Sequence, residues 1–175
     1  MELSDNDFEL FGLPLRFGLS LPQLHAQWMA LQRQTHPDRF AAEGSSAQRL
    51  AMQWSVRVNE AYQRLKSPLK RAQLLCELAG FSVGSESNTA MPTDFLMQQM
   101  QWREALSDAA PGAQGLPSLQ AIQEEVQAAQ TVLLDTLQTA LDGQKDYPLA
   151  VQSLRQLMFF DKLLLELDTA VDRVS

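Results

Sequence analysis

Between Leu119 and Ala140 the apolar residues return every three or four positions, at Leu119, Ile122, Val126, Ala129, Leu133, Leu137 and Ala140. A strand exposes alternate residues to one face, so it needs a period of two. A period between three and four winds these seven side chains onto one stripe of a helix. The same spacing recurs through the chain, sustained period-two alternation does not, and Leu, Ala, Gln, Glu and Met outweigh the β-branched residues. The expected class is therefore all-α.

Proline and glycine mark where helices must stop. A first short helix is expected from Asp5 to Phe11, ending at Gly12 and Pro14. A second opens at Ser20-Leu21-Pro22-Gln23, which has the form of a capping box with proline in the first turn. It carries Leu24, Trp28 and Leu31 on one stripe and ends at Thr35. A third aligns Ala47, Leu50, Trp54, Val58, Ala61 and Leu65 and closes at Ser67-Pro68, so the second and third can form an antiparallel hairpin. A short fourth helix, Leu69 to Ala79, should stop at Gly80. Three more are expected, from about Thr93 to Asp108, Ser118 to Leu141 and Asp146 to Val174, forming a small antiparallel bundle. The organisation expected is a first module over 1–78, a linker over 79–91 and a helical bundle over 92–175.

Charge separates the two modules. The net charge is −7; residues 1–78 hold 9 Lys+Arg against 8 Asp+Glu, and residues 79–175 hold 5 against 13. Binding a phosphate backbone requires a concentrated field of cations, so nucleic acid is not an expected partner. The opening residues are acidic where a secretory leader is basic, and no long apolar run follows, so cytoplasmic residence and no membrane association are expected. A single cysteine, Cys76, and two histidines offer no metal-ligand set, so neither a metal nor a cofactor is expected. Cys76, among Leu74, Leu75 and Leu78, reads as a small buried hydrophobe. Trp28 and Trp54 read as packing residues of the first module, and His25 has no partner that the sequence names.

Chemistry concentrates at His36-Pro37-Asp38. Proline excludes its predecessor from the helical region and fixes its own φ, so the imidazole and the carboxylate should stand in solvent at the tip of the hairpin, with Arg33 one turn before and Arg39 just after. From three residues alone, a plain helix stop and a partner-binding tip are about equally good readings. A hydrolase using His36 as base and Asp38 to orient it is a poorer one, because no nucleophile accompanies them.

The surroundings of the tripeptide favour the partner-binding reading. Phe8-Glu9-Leu10-Phe11-Gly12-Leu13-Pro14, the run Leu31 to Phe40 that contains His36-Pro37-Asp38, and Asn59-Glu60-Ala61-Tyr62 with Leu65 and Ser67-Pro68 together resemble the J domain of DnaJ-type co-chaperones. That resemblance implies docking on a DnaK-type chaperone through Arg33, His36, Pro37, Asp38 and Arg39, and stimulation of the partner's ATPase; the chain itself is then not an enzyme. Neutral Gln27, Gln32 and Gln34 stand where many J domains are basic, so steering by charge should be weak. Arg71-Ala72 with Leu74, Leu75, Leu78 and Gly80, then Phe95-Leu96-Met97, then Phe159-Phe160-Asp161-Lys162-Leu163, extend the likeness from about Asp7 to the C-terminus, where the chain resembles the HscB family, J-type co-chaperones of bacterial iron–sulfur cluster assembly.

One physical feature speaks independently for a client. Turned at about 100° per residue, the helix containing Phe95 places Phe95, Trp102 and Leu106 on one side. Leu96, Met97, Met100, Gln101 and Glu104 fall on an arc nearly opposite, so the helix has two apolar faces. A neighbouring helix could cover the second face; so could a partner protein, to which adaptable methionines are suited. The family resemblance implies an IscU-type scaffold protein there, held by Leu96, Met97, Met100, Gln101, Glu104 and, from the last helix, Phe159, for presentation to an HscA-type chaperone. Gln101 replaces a carboxylate that relatives can carry, which weakens a charge contact but not the apolar one. Phe81 and Val83 suggest a packed linker.

Overall fold

The computed structural model describes residues 4–40, 42, 44–84, 91–109 and 112–174. Among these the secondary structure is entirely helical: α1 (Asp7–Leu10), α2 (Leu21–Thr35), α3 (Ser45–Lys66), α4 (Pro68–Leu78), α5 (Thr93–Asp108), α6 (Leu116–Gln138) and α7 (Tyr147–Val174), with short 3-10 turns at Pro37–Phe40 and Gly112–Gln114. The chain divides into two compact units, Met1–Leu75 and Cys76–Ser175. Six residues of the expected linker, 85–90, lie outside the described residues.

In the first unit α1 is a single turn, shorter than expected because Asn6 takes over its start. The Asn6 carboxamide oxygen accepts from the amides of Phe8 and Glu9 at 3.0 and 3.1 Å, and Glu9 accepts the Asn6 amide in return at 3.0 Å. This reciprocal cap satisfies donors that a four-residue helix could not satisfy itself. Gly12, at φ +60°, then turns the chain so that Leu10, Phe11, Leu13 and Phe17 are all buried. Asp7 is 2% exposed and accepts from Arg57 at 2.7 Å and from Arg64 at 2.6 and 2.8 Å, which fastens α1 to α3.

Helices α2 and α3 pair antiparallel. The Ser20 hydroxyl accepts the Gln23 amide at the start of α2; Leu24 is fully buried, and α3 carries a buried stripe made of Ala51, Val58, Ala61, Tyr62 and Leu65. Trp28 stacks on Tyr62 with centroids 4.6 Å apart and donates its indole N–H to Asn59 at 2.9 Å. Gln32 donates to the same Asn59 oxygen at 2.7 Å, and His25, left unpartnered by the sequence, has Nδ1 3.2 Å from the Tyr62 hydroxyl. Leu50 departs from the expected core stripe: it is 49% exposed. The pairings of His25 with Tyr62 and Trp28 with Asn59 set the end of α2 level with Met52, so Leu50 lies beyond it, turned about 80° from the Val58 line.

Helix α4 carries Arg71, whose guanidinium donates to the Leu65 carbonyl and covers the Phe17 ring at 4.9 Å. It continues to fully buried Cys76 and ends at Gly80, whose φ of +86° closes the helix as expected.

In the second unit α6 and α7 run antiparallel, with Gln123 donating to Asp168 at 2.6 Å and Gln130 to Asp161 at 3.2 Å along their shared edge. Between them are buried Leu119, Ile122, Val126 and Leu137 from α6, and Leu154, Leu157, Phe160, Leu163 and Leu167 from α7. Full burial contributes roughly 1.5–3 kcal/mol for each such large side chain. Ala129 and Leu133, expected on the same seam, are half-buried. The chain leaves α6 through a π-turn at Thr139–Gln144 and Lys145 at φ +57°, then the Asp146 carboxylate accepts the Leu149 amide at the start of α7. The segment after α4 packs within this unit: Phe81 stacks on Tyr147, and the Val83 carbonyl accepts from Arg155 at 3.0 Å.

Candidate partner-binding sites

At the end of α2, Thr35 is buried and returns its hydroxyl to the Leu31 carbonyl. Proline then forces His36 to ψ 127°, which ends the helix. The next residues form the 3-10 turn, which packs against α3. This leaves the His36 side chain 59% and the Asp38 side chain 89% exposed. The Asp38 amide donates to His36 Nδ1 at 3.3 Å, an acceptor role that leaves the ring N–H donor at Nε2, and the Asp38 carboxylate lies 3.5 Å from the same Nδ1. Arg39 folds back and donates to the Arg33 carbonyl at 3.0 Å, supplying a cation and a hydrogen bond to the C-terminal end of α2. Arg33, His36 and Arg39, with Met29 and Gln32, line one groove beside the turn. These side chains can offer a partner an imidazole donor, a carboxylate and two guanidinium groups.

In the second unit α5 has the two faces that its spacing predicts. Inward, Trp102 is 5% exposed, packs on Phe160 at 5.5 Å and donates its indole N–H to Glu125 of α6. Phe95 meets Phe159 edge-on at 5.9 Å and Phe160 at 5.5 Å. Outward, Leu96 is 44%, Met97 53% and Met100 71% exposed, and Gln101 and Glu104 are exposed beside them. Phe159, half-buried on α7, sits at the edge of α5 nearest Leu96 and Met100; Met97 and Gln101 lie farther around the helix. The surface is thus an apolar strip with one aromatic border and polar or acidic flanks.

Arg103 was not singled out from the sequence, and it stands between the strip and the aromatic border. Its guanidinium lies over Phe159 at 5.3 Å and reaches Glu166 at 3.5 Å. Helical rotation alone places Arg103 between Phe95 and Leu96, but its aromatic partner is 56 residues away and no local pattern points to it.

Cys76 is buried and its thiol is pushed up to about 11, chiefly by burial and further by Glu77, so it is held as a neutral, unreactive thiol. The Asp161 carboxyl is raised by partial burial. Among the described residues no helix is long and apolar enough to cross a membrane.

Known proteins share both the sequence and this arrangement. Residues 91–168 match the family model described as the HSCB C-terminal oligomerisation domain. The chain is 47% identical over all 175 residues to a co-chaperone protein HscB homolog of Burkholderia mallei, covering 99% of that protein. It is 47% identical over 167 residues to the Bordetella petrii homolog, covering 95% of this chain and 96% of that one. Chaperone HscB from Vibrio cholerae superposes with a TM-score of 0.84 at 37% identity, over 98% of this chain and all of the other. The human co-chaperone protein HscB superposes with a TM-score of 0.86 at 25% identity, over 97% of this chain and 83% of the other. The fold is accordingly an N-terminal J domain followed by a C-terminal helical bundle. With near-half identity running from end to end, the chain belongs to the HscB family of co-chaperones.

Proposed function

We propose that this co-chaperone delivers an IscU-type iron–sulfur scaffold protein to an HscA-type, DnaK-like chaperone and stimulates that chaperone's ATPase, in the cytoplasm. The observation that carries the reading is the outer face of α5, where Leu96, Met97 and Met100 remain in solvent although Phe95 and Trp102 already anchor the helix to its bundle. Large apolar side chains grouped in this way favour a protein partner, and thioethers adapt to its contours. Gln101, Glu104 and Phe159 complete the proposed scaffold surface. In the other unit, Arg33, His36, Pro37, Asp38 and Arg39 form the proposed chaperone surface, supported by the exposure of His36 and Asp38 on a turn braced by α3.

Hydrolysis belongs to the partner, and the chain contributes contacts. Chaperone turnover is measured with this protein alone, with the scaffold alone and with both. Stimulation by the pair beyond the product of the separate effects is expected. Merely multiplicative stimulation, with no scaffold bound by this protein, would refute delivery.

A further inference from the structure

We propose that Arg103, itself held by Glu166, is a positioning residue for the client surface: it clamps the Phe159 ring, so that the aromatic border of the α5 strip is set before a partner arrives. The inference rests on the scaffold reading of that strip. Phe159 is half-buried, with Phe95 against it edge-on and Phe160 at 6.5 Å. Those neighbours support the ring from the core. The guanidinium at 5.3 Å covers it from the α5 side, and Glu166 at 3.5 Å limits where the guanidinium can swing.

The Arg103 and Glu166 side chains are 46% and 36% exposed, so their ion pair contributes little by itself. Its consequence is geometric: a guanidinium held over an aromatic ring restricts the ring's rotamers and reduces the ordering cost of binding. Lysine lacks the planar, delocalised cation that arginine sets against a ring. Three carboxylates, Glu104, Asp108 and Glu166, are nearby in sequence or space. A direct contact between Arg103 and an acidic client is therefore the competing role, and it makes a different prediction.

Affinity for an IscU-type scaffold is measured for the full chain and for Arg103→Ala, Arg103→Lys, Phe159→Ala and the Arg103→Ala/Phe159→Ala double variant. Aromatic resonances of the free protein are recorded in parallel. Removing Arg103 should weaken binding about two- to fivefold, the range of an exposed cation–π contact, and should have no effect once Phe159 is absent. Arg103→Lys should fall nearer to alanine than to arginine. In the free protein Arg103→Ala should shift the Phe159 ring signals while the Trp102 indole signal stays in place.

An equal loss in both backgrounds would overturn the proposal in favour of direct contact. Unmoved Phe159 ring signals would overturn it without any scaffold present. If Phe159→Ala leaves binding intact, the scaffold surface itself has been misassigned, which the free-protein spectra distinguish from failure of the clamp.

Discussion

Replacing Asp7 should unfasten α1 from the helical hairpin. The carboxylate is 2% exposed and accepts three charge-assisted hydrogen bonds of 2.6 to 2.8 Å, one from Arg57 and two from Arg64. Removing one side of a buried pair typically costs about 3–5 kcal/mol, most of it from stranding the opposite charge. Here that penalty is reduced, because the side chains of Arg57 and Arg64 are 19% and 44% exposed and can recover water. The expected loss is about 2–3 kcal/mol for Asp7→Ala, and about 1–2 for Asp7→Asn, which keeps the shape and an acceptor. Arg64→Ala should cost less than either, since Asp7 keeps Arg57.

Urea unfolding followed by tryptophan fluorescence measures these losses. A Trp102→Phe background restricts the signal to Trp28 and Trp54 of the first unit. The midpoint should move while the slope with denaturant stays constant. A loss below about 0.5 kcal/mol for Asp7→Ala, the range of an ordinary surface change, would refute the account of a buried anchor.

Two further outcomes follow from burial. The combined variant Leu96→Ala/Met97→Ala/Met100→Ala should lower scaffold affinity at least about tenfold while shifting the melting temperature by only a few degrees, because these side chains are exposed in the free protein; an unchanged affinity measured by titration calorimetry would count against the strip. Cys76 should make stability fall in alkali: below about pH 9 the thiol is neutral folded or unfolded, and between about 9 and about 11 only the unfolded chain ionises, a loss of roughly 2–3 kcal/mol by pH 11. Urea midpoints compared with Cys76→Ala across that range test it, and identical pH profiles would contradict it.

The legible parts of this fold were those set by near neighbours in sequence. Pro37 ends α2, Gly80 ends α4 and the spacing of α5 gives two faces, because each depends on backbone sterics or on one helix's rotation. The exposed tripeptide and the outward Leu96, Met97 and Met100 were legible for the same reason. Asp7 looked like an ordinary residue of a first turn, since its partners lie 50 and 57 residues away and only tertiary pairing reveals them. Leu50 has the right residue type for a core position, but it is turned well off the Val58 line and lies beyond the end of α2. Arg103 was hidden like Asp7, by an aromatic partner on another helix.

The braced turn at His36 and Asp38 is proposed to act on another protein's ATPase. Steady-state hydrolysis by an HscA-type chaperone, measured with the wild-type chain and with His36→Gln, tests it most directly. Stimulation by the wild type and its loss in the variant are expected, with scaffold binding unchanged. Stimulation that persists undiminished in the variant would contradict it.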